Sequence, residues 1–281
     1  MLKHRRLTFS LTCGVGAVLF VSLFLAFSGK GQTEQQSQTA KIFKRATAMR
    51  DQNVTQPTAK ELDDAATPIV DLADPNPVSS GRALKNARWD KHRLVKSQLD
   101  PRVASVVMDH WEGQNISDLP TEKSDLIVEG KVTESAAFLS NDKGDVYSEF
   151  TVHVTEILKA GADLEVKPGS SIVAERRGGR VKYPDGRIVR YGFVGQGSPM
   201  KGKSYLFFLS KSGDGDYTIL TGYELQGNRV LALDGSRIND RGLGKWSFDK
   251  HNDEDCENFR LAVRKAIKNP PPGSENRRVG P

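Results

Sequence analysis

Basic and aromatic residues are interleaved in a run of short predicted strands in the second half of the chain. Arginine and lysine can neutralise phosphate, sulfate or carboxylate groups, and tyrosine offers a flat face to sugar rings or bases. Neighbouring antiparallel strands lie about 4.8 Å apart, so side chains on them would form a patch that matches a charged polymer. The alternative is an ordinary polar exterior of a β domain. The candidate binding residues are Arg176, Arg177, Arg180, Lys182, Tyr183, Arg187, Arg190 and Tyr191, with Phe193 beside them.

Signatures of catalysis and of cofactor binding are missing from the sequence. The five histidines show neither the H-x-H nor the H-E-x-x-H spacing of a metal site. Residues 195–199 are rich in glycine but lack the G-x-S-x-G order of a hydrolase nucleophile. The sequence therefore predicts no catalytic residue, no metal and no cofactor. The alternative is a hydrolase without a signature, built around His153 or His110 and a nearby carboxylate or hydroxyl.

The clearest folded segment is a predicted β-hairpin over residues 125–160. DLIVEGKV and VYSEFTVHVTEILKA alternate apolar and polar residues, and a polar turn at residues 140–145 joins them. The apolar phase slips by one residue in the second strand, which predicts a β-bulge at residues 155–156. Gly130 lies on the apolar side of the first strand, where a glycine indicates a bulge, a bend or the close approach of another backbone.

The hairpin carries a family resemblance. SDLIVEGKV, the strand VYSEFTVHVTEILKA and the PGS turn after it resemble a family of uncharacterised exported bacterial proteins. That resemblance covers residues 124–234 and implies an OB-like β-barrel, more distantly similar to the netrin-like barrels of metalloproteinase inhibitors. It carries over no functional residue. The inhibitors depend on an N-terminal cysteine and several disulfides, whereas this chain has two cysteines, so inhibition of a metalloprotease is not implied.

Two later segments complete the predicted core. Residues 203–210, KSYLFFLS, form a nearly continuous apolar run, which is typical of a strand buried on both faces. Residues 253–268 have one apolar face at helical spacing and predict a helix that covers the outer side of that strand, capped by Asn252 or Asp253. Cys256 is predicted to be buried in this helix and to form no disulfide with Cys13.

The N-terminus predicts export. Three basic residues precede a run of 22 residues, 7–28, that carries no charge. As a helix this run would be about 33 Å long, enough for the apolar core of a bilayer. The basic flank keeps the N-terminus in the cytoplasm, and the run is either a signal anchor or a cleaved signal peptide. The expected location is therefore the cell membrane, or the periplasm or exterior after cleavage.

Residues 30–80 have the composition of a tether, since they are polar, poor in aromatic residues and without clear periodicity. Residues 81–99 are a strongly basic candidate helix that Pro101 would end, and residues 103–111 could add a second short helix. The basic helix could contact membrane phosphates or another polyanion, or it could be a solvated face beside the tether.

These predictions combine into one organisation: a signal segment over residues 1–29, a tether over 30–115, a β-barrel domain over 116–236, and a C-terminal helix with a disordered tail over 237–281. The fold class is mainly β, a small antiparallel OB-like barrel with a C-terminal helix. The formal net charge of +6 favours anionic partners. We expect a binding module without catalysis, whose partner is an anionic polymer, a glycan or an envelope protein, with no specific nucleic acid.

Overall fold

The computed structural model describes residues 66–74, 79–90, 92–95, 102–108, 116–213, 215–235 and 247–269. They all belong to the unit Pro57–Pro281. The described part is mainly β with a C-terminal helix, which confirms that level of the prediction. Its strands are β1 Ile69–Asp71, β2 Ser105–Met108, β3 Leu126–Leu139, β4 Val146–Ala160, β5 Ser171–Arg177, β6 Gly179–Lys182, β7 Ile188–Phe193, β8 Ser204–Lys211, β9 Tyr217–Gln226 and β10 Arg229–Ala232. Its helices are α1 Ser80–Ala87, the 3-10 helix Ser247–His251 and α2 Cys256–Lys268.

The predicted hairpin forms two neighbouring strands, β3 and β4, of the larger sheet. β3 and β4 pair in antiparallel fashion on either side of the turn at residues 140–145. The register passes from Glu129 opposite Glu156 to Gly130 opposite Val154, so Thr155 is the extra residue of the predicted bulge. A side chain at Gly130 would lie 2.8 Å from the carbonyl oxygen of His153, so the close backbone approach is also confirmed.

Six strands form the larger sheet, in the order β10-β9-β5-β4-β3-β8, and β8 also pairs with β9. β5 and β9 are parallel, while the other neighbours are antiparallel. Each of the five strands β3, β4, β5, β9 and β8 therefore pairs with two others of the set.

β8 is the predicted strand with two buried faces. Tyr205, Phe207 and Leu209 belong to one apolar cluster, while Leu206 and Phe208 belong to a second cluster on the opposite face. The second cluster includes Cys256, Phe259 and Val263 of α2, so α2 covers that side of the strand. Both the burial of the strand on its two faces and the covering helix are confirmed.

The helix cap differs from the prediction. Asp255, rather than Asn252 or Asp253, accepts hydrogen bonds from the backbone nitrogens of Glu257 and Asn258, at 3.0 and 3.1 Å. Asp253 has a φ of 65°, so the chain is still turning there and the helix begins at Cys256, three residues later than expected.

A second, four-stranded sheet has the order β1-β6-β7-β2. β6 and β7 are an antiparallel pair, as predicted for the basic strands, while β1 and β2 flank them in parallel. The segment predicted as a tether thus contributes β1, α1 and β2 to the folded unit. β1 and β2 have only three and four residues, so they carry no long apolar pattern in the sequence. They gain their stability from pairing with β6 and β7.

Two helical predictions in this segment change. α1 ends at Ala87 instead of continuing to residue 99, because Leu94 and Val95 enter the core and the Val95 amide donates to the carbonyl oxygen of Gly144. Residues 105–108 form β2 instead of a helix, consistent with the valines at 106 and 107. Residues 109–111 of that predicted helix lie outside the described residues.

No helix in the described ranges is long and apolar enough to cross a membrane. The uncharged run of residues 7–28 and Cys13 lie outside those ranges.

Candidate functional site

The outer face of the smaller sheet brings basic side chains together. Arg180 on β6 lies directly opposite Arg190 on β7, and Lys182 lies opposite Ile188. Opposite residues on paired strands point to the same face, and so do residues two apart on one strand. Val181, Val189 and Tyr191 point the other way and are buried in the third apolar cluster. We call the outer face of the sheet β1-β6-β7-β2 the basic face.

The flanking strands extend the basic face. Ile69 of β1 lies beside Arg180, and Ser105 of β2 lies beside Arg190. Ile69 and Ile188 are 42% and 46% exposed, which is high for isoleucine on a strand. The face therefore combines positive charge with exposed apolar surface, a composition that suits a partner with both anionic groups and apolar faces.

Like charges at directly opposite positions destabilise a pair of strands. The Nε of Arg180 donates a hydrogen bond to the carbonyl oxygen of Thr67 at 2.8 Å, which fixes this side chain next to Arg190. Arg180 and Arg190 thus occupy directly opposite positions on the paired strands, and the Nε of Arg190 is buried.

Two surface carboxylates accompany the basic residues. Lys182 lies 3.3 Å from Asp71, and the backbone amide of Ala73 together with Lys182 lowers the pKa of Asp71. In the β6–β7 turn the hydrogen bonds from Arg187 lower the pKa of Asp185 in the same way. Both carboxylates remain ionised at neutral pH, so the positive charge of Lys182 and Arg187 is partly balanced.

A small cavity lies where β5 passes into β6. Arg176, Arg177, Arg190, Ser148 and Ser198 are among its lining residues, and none of the residues that line it is acidic. Its volume of about 10 Å³ is at the limit for one water molecule. It can therefore accept a water or a single oxygen of an anionic group, but not a whole sugar or nucleotide.

The eight predicted binding residues do not form one exposed face. Arg180, Lys182 and Arg190 share the basic face, and Arg187 lies in the adjoining turn. Arg176 is 3% exposed and is held by Asp234, with nitrogen–oxygen distances of 2.6 and 2.9 Å. Arg177 donates to Asp145 at 2.6 Å.

The two tyrosines that were predicted to stack against a ligand are buried. Tyr183 and Tyr191 are 4% and 1% exposed, and their hydroxyl groups hydrogen-bond to each other. Their rings pack in the third apolar cluster and are not open to a sugar or a base. The sequence analysis did not include Ile69, Ser105 and Ile188, which lie on the basic face. The alternation of residues in RIVRYG could have placed Ile188 on the same face as Arg190.

Acid–base groups elsewhere form structural contacts. His153 is exposed on β4. The buried His251 lies between two carboxylates, with Nδ1 2.7 Å from Glu254 and Nε2 3.1 Å from Asp118. Both ring nitrogens thus contact carboxylates, which ties the 3-10 helix to the segment before β3. His110 lies outside the described residues.

One group of carboxylates has the geometry to hold a cation. Oxygens of Glu149, Glu175 and Asp216 lie within 4.8 Å of one another. Three basic side chains at α1 already contact them, so the negative charge is neutralised by the protein itself.

No protein-family model matches the chain, and no curated protein matches it significantly.

Proposed function

We propose that this protein is a binding module, tethered to the membrane or secreted, that holds an anionic polymer, a glycan or an envelope protein on its basic face without catalysis. The observation that carries the proposal is the arrangement of Arg180, Lys182 and Arg190 on neighbouring strands, with exposed Ile69 and Ile188 among them. An ordinary polar exterior does not need two arginines in directly opposite positions.

We propose further that the larger sheet is an OB-like barrel. The strands β3, β4, β5, β9 and β8 pair in that cyclic order, and the parallel pairing of β5 with β9 supports this topology. An OB-like barrel is a five-stranded, partly open Greek-key barrel that binds oligomeric ligands in many proteins. The resemblance to exported bacterial proteins is consistent with this proposal.

Export remains part of the proposal because of the uncharged run at residues 7–28 and the basic residues before it. Outside the cytoplasm, charged envelope polymers are more accessible partners than nucleic acids.

The test is the affinity of the full-length protein for a sulfated polysaccharide, a polyphosphate, a polyuronate and neutral dextran, at about 50 mM and about 200 mM salt. Binding to the anionic polymers should weaken at the higher salt concentration, because each neutralised charge releases a counterion. The triple variant Arg180→Gln, Lys182→Gln, Arg190→Gln should lose at least about tenfold in affinity, as expected for the loss of several charge contacts.

The matched control replaces three basic residues away from the basic face: Lys167→Gln, Lys201→Gln and Arg229→Gln, all at exposed positions. This variant has the same net charge as the first. If both triple variants bind equally well, the attraction comes from net charge alone and the basic face is not the site.

A further inference from the structure

α1 carries a row of basic side chains that match a group of carboxylates. Arg82, Lys85 and Arg88 recur at three-residue spacing, so their side chains lie on one side of the helix. Arg88 is the residue directly after the last helical residue, Ala87. We call them the basic row. The acidic triad beneath them consists of Glu149 on β4, Glu175 on β5 and Asp216 next to β9, whose side chains are 11%, 2% and 11% exposed.

The two groups pair one to one. Arg82 binds Glu149 through both guanidinium nitrogens, Lys85 contacts Asp216, and Arg88 lies 2.8 Å from Glu175. Lys85 also lies 4.0 Å from Glu149, and Arg88 lies 3.9 Å from Asp216. Three positive charges thus balance three negative charges in a largely buried layer.

The remaining contacts of α1 are mostly polar as well. The hydroxyl of Tyr147 donates to Asn86 at 2.7 Å and accepts from Arg82 at 3.2 Å. Burial raises the pKa of Tyr147 to about 12, so the phenol keeps the proton that it donates. The side chain of Asn141 donates to the carbonyl oxygen of Ala83 at 2.9 Å.

Apolar burial contributes little to this contact. No residue of α1 belongs to the three apolar clusters of the described residues, and Leu84 is 73% exposed. Trp89, just after the helix, stacks on Tyr147 at 5.2 Å between ring centroids. The chain returns to the core only at Leu94 and Val95. Release of α1 would therefore leave the apolar clusters intact.

The surface beneath α1 corresponds to the part of an OB-like barrel where ligands bind. It is formed by β4 and β5, by the turn between β3 and β4 at Asn141, and by the turn between β8 and β9 at Ser212, whose hydroxyl donates to Glu175 at 3.1 Å. In OB-like barrels the second and third strands and the two corresponding loops receive ligands. This step rests on the barrel proposed above, but not on the basic face.

We propose that the acidic triad is a docking site for a basic helix and that α1 is its intramolecular occupant. In this structure α1 blocks the site. A basic helical segment of a partner protein competes with α1 for the three carboxylates, and because ion pairs make most of the contact, charge reversal on α1 releases it.

The test adds a labelled synthetic peptide of residues 79–90 to the full-length protein. The wild type should bind it weakly, because a linked segment competes at an effective concentration of about 1 mM. The variant Arg82→Glu, Lys85→Glu, Arg88→Glu repels α1 from the triad and should bind the peptide at least about tenfold more tightly. Adding Glu149→Gln and Glu175→Gln to that variant should abolish the gain.

The control variant Lys167→Glu, Lys201→Glu, Arg229→Glu has the same net charge as the charge-reversal variant but leaves α1 in place, and it should bind the peptide as weakly as the wild type. Hydrogen exchange of the wild type gives an independent readout. The amides of α1 should exchange faster than those of β4, because α1 can open while the larger sheet stays folded.

A folded charge-reversal variant that binds the peptide no better than the wild type overturns the proposal. So does a charge-reversal variant that cannot fold, because α1 would then be needed for the fold instead of covering a finished surface. α1 amides as protected as those of β4 give the same answer. Failure of the polymer-binding test leaves this proposal untouched, because the basic face and the acidic triad are separate surfaces.

Discussion

At the scale of single residues, burial decides what a basic side chain can do. Arg176 and Lys182 occur six residues apart in one basic stretch, yet Arg176 is buried against Asp234 while half of the Lys182 side chain is exposed. Asp234 is 58 residues away in sequence and also accepts from Thr221 and the Gly197 amide. A partner at that distance leaves no local pattern, so composition alone could not separate the structural arginine from the surface lysine.

Two buried or half-buried carboxylates should affect stability with opposite pH dependence. Burial raises the pKa of Glu175, and the charge of Arg88 opposes this shift only in part. The folded state therefore binds a proton more tightly than the unfolded state, and the contribution of Glu175 is largest below its ordinary pKa of 4.5 and is lost as pH rises through the raised value. Relative to Glu175→Gln, the wild type should lose free energy of unfolding between about pH 4.5 and neutrality.

Asp118 provides the matched comparison. Burial tends to raise its pKa, but hydrogen bonds and charges from Lys250 and His251 lower it by more. Relative to Asp118→Asn, the wild type should lose stability as pH falls below 3.8. Urea unfolding of the three proteins across this pH range measures both effects. Parallel curves for the wild type and Glu175→Gln would show that Glu175 binds its proton equally well in both states.

At the scale of elements, the length of an apolar run decided what the sequence revealed. β8 was predicted because an unbroken apolar run is typical of a strand that is covered on both faces. α2 was predicted because its apolar residues recur at helical spacing. β1 and β2 were missed because three or four residues carry too little pattern, and their pairing with β6 and β7 involves residues about 85 to 110 positions away. The composition of the tether concealed strands that only tertiary pairing stabilises.

The two faces of β8 should be equally intolerant of charge. Phe207 and Phe208 are both fully buried, in different clusters. Phe207→Asp and Phe208→Asp should each destabilise the protein by about 4 kcal/mol or more, because each buries an unpaired carboxylate. Leu261→Asp, at a position of α2 that is 61% exposed, should change stability by no more than about 0.5 kcal/mol. Chemical denaturation measures all three; a tolerated Phe208→Asp would mean that α2 does not cover this face.

At the scale of the whole molecule, the segment before residue 116 completes both surfaces that we propose as binding sites. β1 and β2 flank the two strands of the basic face, and α1 covers the acidic triad of the larger sheet. A single segment thus widens one surface and closes another. The two surfaces have opposite charge, so an anionic partner and a basic partner would not compete directly.

β1 allows the structural and the binding contribution of this segment to be separated at adjacent residues. Ile69 points outward beside Arg180, whereas Val70 packs against the third apolar cluster. Val70→Asp should destabilise the protein by about 1–3 kcal/mol, because it places a carboxylate against Val181 and its apolar neighbours. Ile69→Asp should leave stability within about 0.5 kcal/mol of the wild type but weaken polyanion binding, because it adds a negative charge beside Arg180. Urea unfolding and polymer affinity, measured on both variants, distinguish the two roles. Equal losses of stability would mean that β1 is buried on both faces, and an unchanged polymer affinity of the folded Ile69→Asp protein would separate β1 from the basic face.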